Sequence, residues 1–200
     1  QQLLVSAKAE FEKNAFDKAF EHSDKALNML ETSQSTRARD MVSSLNKAIL
    51  IAKEMGCDIA NLEEVILRCE NYLKNRDFSN VLADTEKALN DARNLQYVAA
   101  ERMFGEGKLA AIEAKKLGID ISDMKEALKR AKTAFSKADF SITYKESFAT
   151  KTSADRQIML HQKAHDAINQ ATALLAEAKK SKADVKDSLS ILLSARGMFE

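Results

Sequence analysis

Proline and tryptophan are absent from the 200 residues, and glycine occurs only five times. Average usage would supply about 10 prolines and 14 glycines. A chain so poor in breakers is expected to be helical throughout. All-β, Rossmann and P-loop folds are excluded, because each is built on glycine-rich turns. Cysteine is scarce too: Cys57 and Cys69 stand 12 apart, too few and too sparse for a secreted disulfide scaffold. No apolar run approaches the ~20 residues that span a bilayer. Neither sign of charge dominates, with 31 Lys+Arg against 30 Asp+Glu. That balance argues against a nucleic-acid binder that relies on neutralising phosphates. The pattern is already under way at Gln1, so the sequence is expected to be a segment of a longer protein, its targeting information elsewhere. The compartment stays open, the cytoplasm slightly favoured.

What the chain has is an internal repeat. Ala52-Lys53-Glu54-Met55-Gly56-Cys57-Asp58-Ile59 recurs 62 residues later as Ala114-Lys115-Lys116-Leu117-Gly118-Ile119-Asp120-Ile121. A weaker third copy, Ala178 to Val185, follows after a further 64. Leu73-Lys74-Asn75-Arg76-Asp77-Phe78 matches Phe135-Ser136-Lys137-Ala138-Asp139-Phe140, and Phe11-Glu12-Lys13-Asn14-Ala15-Phe16 precedes it by 62. At the far end, Ala195-Arg196-Gly197-Met198-Phe199 echoes Ala131-Lys132-Thr133-Ala134-Phe135.

Each copy reads as a short helix and a long one. Leu62, Val65, Ile66, Cys69, Tyr72 and Leu73 form an i, i+3/i+4, i+7 stripe, as do Met124, Ala127, Leu128, Ala131, Ala134 and Phe135. The glycine of Gly-x-Asp-Ile suits the residue that ends a helix with φ > 0. Asp58 and Asp120, or Asn61 and Ser122, are candidate caps for the next helix, and Asn61 with Glu64 fits a capping box. After a tight turn at 75–77 or 137–139, long helices are expected over 16–55, 78–117 and 140 to about 180. Phe78, Val81 or Leu82, Thr85, Ala88 or Leu89, Ala92 and Leu95 form one seam; Met41, Leu45, Ala48, Ala52 and Met55 form another, with the 4-3-4-3 spacing of helices packed at small angles. The middles differ. Residues 31–37 and 151–156 read as polar all round, and Gly105 and Gly107 mark the expected bend or break in the second long helix.

The expected fold class is all-α: elongated tandem antiparallel three-helix bundles that share long continuous helices, with a period of about 62 residues. The divisions are a partial repeat over 1–37, complete repeats over 38–99 and 100–161, and a partial repeat over 162–200. In topology this resembles the spectrin repeat, where one helix leaves a bundle and enters the next. The period here is much shorter, and the tryptophan typical of that family is missing. Phe11-x4-Phe16-x2-Ala19-x6-Ala26-Leu27, and again Leu73-x4-Phe78 with Ala88-Leu89, resemble the turn and second helix of a tetratricopeptide repeat. That family's 34-residue period and terminal proline are not met. The Gly-x-Asp-Ile and Asp-Phe pattern is also similar to helical repeats of uncharacterised archaeal proteins, which implies no activity.

No catalytic, cofactor-binding or metal-ligating constellation is visible. His161 and His165 share a helix face at i, i+4, yet the zincin glutamate and further ligands are missing. His22 stands beside Ser23 and Asp24, which point away on a helix. Glu10, Glu12, Glu63, Glu64 and Asp155 read as solvated surface. Lys115, Lys116, Lys179, Lys180 and Lys182 complement helix dipoles at C-terminal ends. The methionines, Met29, Met41, Met55, Met103 and Met124 among them, read as gap fillers in cores. The expectation is a non-enzymatic structural spacer or protein-interaction module, with a tetratricopeptide-like peptide-binding scaffold as the alternative. Both end repeats lack a third helix, so protein partners or self-association are expected there, with no nucleic acid and no membrane insertion.

Overall fold

In the computed structural model, which describes residues 2–181 and 185–197, the elements are all helices. They are α1 (Gln2–Glu12), α2 (Phe16–Glu54), α3 (Ala60–Lys74), α4 (Phe78–Lys116), α5 (Ser122–Ser136), α6 (Phe140–Lys180) and α7 (Lys186–Gly197). The chain is all-α, with no strand among the described residues. Lys182, Ala183 and Asp184 of the third motif copy, and Met198 and Phe199 of the last echo, lie outside those residues.

The helices end where the local chemistry ends them. Gly56 and Gly118 adopt φ of 73° and 79°, a region closed to most side chains. The next amide then closes back on the helix: Cys57 N–H donates to Ala52 O at 3.0 Å and Ile119 N–H to Ala114 O at 3.1 Å. The same closure occurs without glycine at the other turns. Asn14, Arg76 and Ala138 hold φ of 62°, 57° and 57°, and Asp77 N–H and Asp139 N–H each reach a carbonyl five residues back at 2.9 Å. Asp139 caps α6 by accepting from Ile142 N–H at 3.1 Å, and Asp77 accepts from Asn80 N–H at 3.3 Å.

Of the candidate caps for the short helices, the aspartates act. Asp58 Oδ1 accepts from Ala60 N–H at 3.1 Å and Asp120 Oδ1 from Ser122 N–H at 3.0 Å. Bonds from the Ser122 hydroxyl and amide hold the Asp120 carboxyl below its ordinary value. Ile59 and Ile121 occupy the cap positions themselves, so Asn61 falls inside α3 and the expected capping box is not made.

The chain divides into two compact units, Gln1–Ala99 and Ala100–Glu200. In the first, α1 packs on α2 and α2 on α3. Ala38 and Val42 of α2, Cys69 of α3, and Phe78 and Val81 of α4 form one buried cluster. Leu45, Ile49 and Ala52 of α2 meet Ile59 and Leu62, and Ala88 and Ala92 of α4, in another. Gln96 donates its side-chain amide to Ala48 O at 2.8 Å, so this polar group enters the interior with a partner.

In the second unit, α5 packs on α6 and α6 on α7. Ala110, Ala111 and Ala114 of α4, Ile121, Met124 of α5 and Ala154 of α6 form its cluster. Residues 151–156 are therefore not polar all round. Ala154 is fully buried and continues a stripe of Thr143, Ser147 and Thr150. Hydroxyls can line this interface because most spend their donor locally: Thr143 on Asp139 O at 2.8 Å and Thr150 on Glu146 O at 2.9 Å. Ser147 Oγ is buried without a partner.

Two further expectations are corrected. Gly105 and Gly107 do not break α4, which is helical from Phe78 to Lys116. Gly107 is there because the Ser147 backbone passes so close that a Cβ would sit 2.8 Å from Ser147 O. Of the methionines, Met55, Met103 and Met124 are buried, but Met29 and Met159 are exposed. The polar stretch 31–37 remains inside α2, and its Glu31 is tied to Arg76 at 2.8 Å.

Candidate functional site

The polar residues picked out by type do not assemble. His165 Nδ1 lies 3.1 Å from the Asn169 amide, one turn along its own helix. His161 is half-buried on the same helix, and His22 lies on α2 with its Nδ1 buried and unpartnered. Among the described residues, no group of three or more His, Cys, Asp or Glu is placed to hold a metal ion. Glu10, Glu63 and Asp155 each face a lysine, at 3.9 Å from Lys13, 3.8 Å from Lys53 and 3.3 Å from Lys151. Glu12 and Glu64 are exposed, as are Lys115, Lys116, Lys179 and Lys180, while Lys182 lies outside the described residues.

Both cysteines are thiols outside any disulfide. Cys69 is fully buried between α2 and α4, and burial, aided by the negative charge of Asp84, pushes its thiol up; Arg68 opposes the shift. Cys57 is only half-buried at the turn after α2, its thiol directed to Leu95 O at 3.5 Å. Because the thiolate is the reactive form, iodoacetamide should label Cys57 in the folded chain and reach Cys69 only after unfolding. Mass spectrometry of digests taken during the reaction checks this; equal labelling rates would contradict the packing around Cys69.

What the fold does expose is apolar. At one end, α1 and α2 form a helical hairpin whose turn is pinned by an edge-on contact of Phe11 and Phe16, with centroids 5.3 Å apart. Two grooves run along it. One, of about 590 Å³, is lined by Leu3, Leu4, Ala26, Leu27, Met29 and Leu30; the other, of about 600 Å³, by Leu4, Ala7, Phe11, Phe16, Ala19 and Phe20 among others. In the second unit, α6 and α7 frame an open groove of about 540 Å³. Its walls include Ala167, Ala171, Leu174, Ala178, Ile191 and Ala195. Phe20 and Ile191 are each 72% exposed.

These surfaces are notable for what covers their counterparts. Leu174, Leu175 and Ala178 stand 64 residues after Ala110, Ala111 and Ala114; Val185, Ser188 and Leu192 stand 64 after Ile121, Met124 and Leu128. The earlier residues are closed over by Ala154 and Ile158 of α6. In α2, Phe16 and Leu30 stand 62 before Phe78 and Ala92, which are buried. Phe20, Leu30, Leu174 and Ile191 escape a motif search, since an exposed leucine or phenylalanine carries no signature. The available signal is a mismatch between copies: Leu30 and Leu174 are large where Ala92 and Ala110 are small.

No protein-family model matches this chain, and no curated protein or solved structure matches it. No helix among the described residues is long and apolar enough to cross a membrane.

Proposed function

We propose that the chain is a non-enzymatic structural spacer or protein-interaction module, made of tandem repeats of about 62 residues with spectrin-like topology. Each complete repeat, 38–99 and 100–161, is a three-helix bundle that takes the end of one long helix, a short helix, and the start of the next long helix. Residues 1–37 and 162–200 are partial repeats. The observation that carries this is the register of equivalent features. The long helices begin at Phe16, Phe78 and Phe140, steps of 62, and the short helices at Ala60 and Ser122, the same step. The left-handed residues Asn14, Arg76 and Ala138 keep that step. So does the ion pair from each short helix to the next long one, Arg68 to Asp84 at 3.3 Å and Arg130 to Glu146 at 2.9 Å. Stability in such an array is a sum over repeats and their interfaces, and length can be set by copy number.

The second reading, a tetratricopeptide-like peptide scaffold, is favoured by one feature: the Phe11–Phe16 hairpin with apolar grooves along it. Inserting a further copy of residues 38–99 after Ala99 tests the repeat reading, and peptide panning separates the two functions. The spacer reading expects the largest dimension in small-angle scattering to rise by a fixed increment per copy, with helix content per residue unchanged. The scaffold reading expects in addition that a peptide library panned on the chain returns a consensus that competes for the α1–α2 grooves, which a spacer does not.

A further inference from the structure

We propose that repeat 100–161 opens before repeat 38–99, so that the array contains one section that yields while the other stays packed. This rests on the repeat reading and adds a conformational device to it. The two complete repeats share a register, so their interiors compare position by position. Leu45 and Ile49, buried in α2, are replaced 62 residues on by Gly107 and Ala111 in α4. Val81, fully buried in α4, becomes Thr143 in α6, and Ala88 becomes Thr150. The second repeat does carry larger side chains, but at its margin. Phe104 and Phe140, counterparts of the buried Val42 and Phe78, are only half-buried, and Leu117, counterpart of the buried Met55, is 42% exposed.

Burial of apolar surface is the main favourable term in such a bundle. Leucine and isoleucine contribute a full side chain to it; glycine, alanine, serine and threonine contribute little. The Leu45/Gly107 and Ile49/Ala111 positions alone correspond to an opening equilibrium about a hundredfold or more larger in the second repeat. Close approach offsets only part of this. Gly107 lets the Ser147 backbone come against α4 and gain dispersion contacts, but the Ser147 hydroxyl enters the interior with no partner. Its counterpart Thr85 is equally buried, yet donates to Val81 O at 2.6 Å. The ion pairs do not separate the repeats, because Arg68–Asp84 and Arg130–Glu146 join the same positions in each. The difference therefore lies in the cores. When the second repeat opens, its three side-by-side segments come apart, and the spacer lengthens while the first repeat keeps its bundle.

Native-state hydrogen exchange of the full chain, read by mass spectrometry, tests this. Protection factors around Met124, Ala131 and Ala154 are expected to be lower, by about a hundredfold or more, than those around their counterparts Leu62, Cys69 and Ala92. Ser147→Ala removes the unpartnered hydroxyl without enlarging the side chain. It should raise protection in 100–161 by about tenfold and leave 38–99 unchanged. Thr143→Val, which installs the first repeat's residue at that position, is expected to act in the same direction and gives an independent reading. Equal protection in the two repeats of the wild type, or lower protection in 38–99, overturns the proposal. So do two variants in which 100–161 exchanges no more slowly than before. Failure of the repeat reading looks different. Ser147→Ala would then raise protection by one factor in both repeats, the mark of a single cooperative unit. A rise confined to 100–161 from an equal or higher starting level overturns the order of opening alone.

Discussion

Replacing Gly107 by alanine is expected to destabilise the chain, and the same change two residues earlier, at Gly105, to stabilise it. In a helix interior, glycine to alanine is worth about 1 kcal/mol in alanine's favour, from backbone entropy alone. Gly105 should realise that gain in full, because a Cβ there meets nothing within 4 Å. Its melting temperature should rise by about 2–4 °C on the scaling for chains of this size. At Gly107 the added carbon would lie 2.8 Å from Ser147 O and 3.4 Å from Ser147 C. Those are backbone atoms, which no rotamer change can move aside. α4 and α6 must separate locally, and overpacking of that kind costs about 1–3 kcal/mol. The separation also loosens the alanine contacts on either side. The cost outweighs the propensity gain, and Gly107→Val, with a branched side chain at the same point, should be worse. Urea unfolding of the two alanine variants side by side checks the sign; two equally stabilised proteins would mean that α4 and α6 do not touch at this level.

That pair also marks how far the sequence could be read. The punctuation was legible because it is local. Gly56 and Gly118 end long helices through their own φ, and Asp58 and Asp120 satisfy the first amides of the helices that follow; Asp77 and Asp139 do the same from turns that the sequence marks only as tight. The starts of the long helices at Phe16, Phe78 and Phe140, and the seam Phe78, Val81, Thr85, Ala88 and Ala92, follow from apolar spacing in the same way. Gly107 was misread as a breaker because its role belongs to a residue 40 positions away, and two glycines near each other in a helix look alike until a neighbour is placed against one of them. The stripe Thr143, Ser147 and Thr150 gives no signal in the sequence, and 151–156 reads as polar all round, because hydroxyl residues count as polar in any periodicity. On a helix, though, threonine and serine can turn inward to the carbonyl one turn back, and what they present to a neighbour is then a small, mostly apolar face.

The end grooves were legible only in outline. Apolar spacing marks stripes on α1, α2, α6 and α7, and the structure leaves part of each exposed. The spacing does not single out Phe20 or Ile191. Their exposure comes from hairpin geometry, which turns some members of an apolar stripe toward the paired helix and others outward. Ala19 is buried and Phe20, its neighbour, is not.

Leu45→Ala is the other change of large expected effect, at about 3–5 kcal/mol of lost stability. Leu45 is fully buried, and its cluster contains Ala52, Ala88 and Ala92. Its alanines cannot fill a void, and Ile49, Ile59 and Leu62 are themselves held in the packed cluster, so the cavity left by the lost methyl groups would close only in part. Leu50, five residues on and 59% exposed, is the control: Leu50→Ala should stay within about 0.5 kcal/mol. Leu45 and Gly107 also stand 62 residues apart, so one register position is filled by a large side chain in the first unit and by backbone contact in the second. The two substitutions therefore act on different units, and hydrogen exchange should resolve them. Leu45→Ala is expected to speed exchange in the second half of α2, in α3 and in the first half of α4, and to leave the amides around Ala110, Met124 and Ala154 protected. Gly107→Ala should do the reverse. Exchange that rises uniformly along the chain in both variants would mean a single cooperative unit, which an array of semi-independent repeats cannot produce.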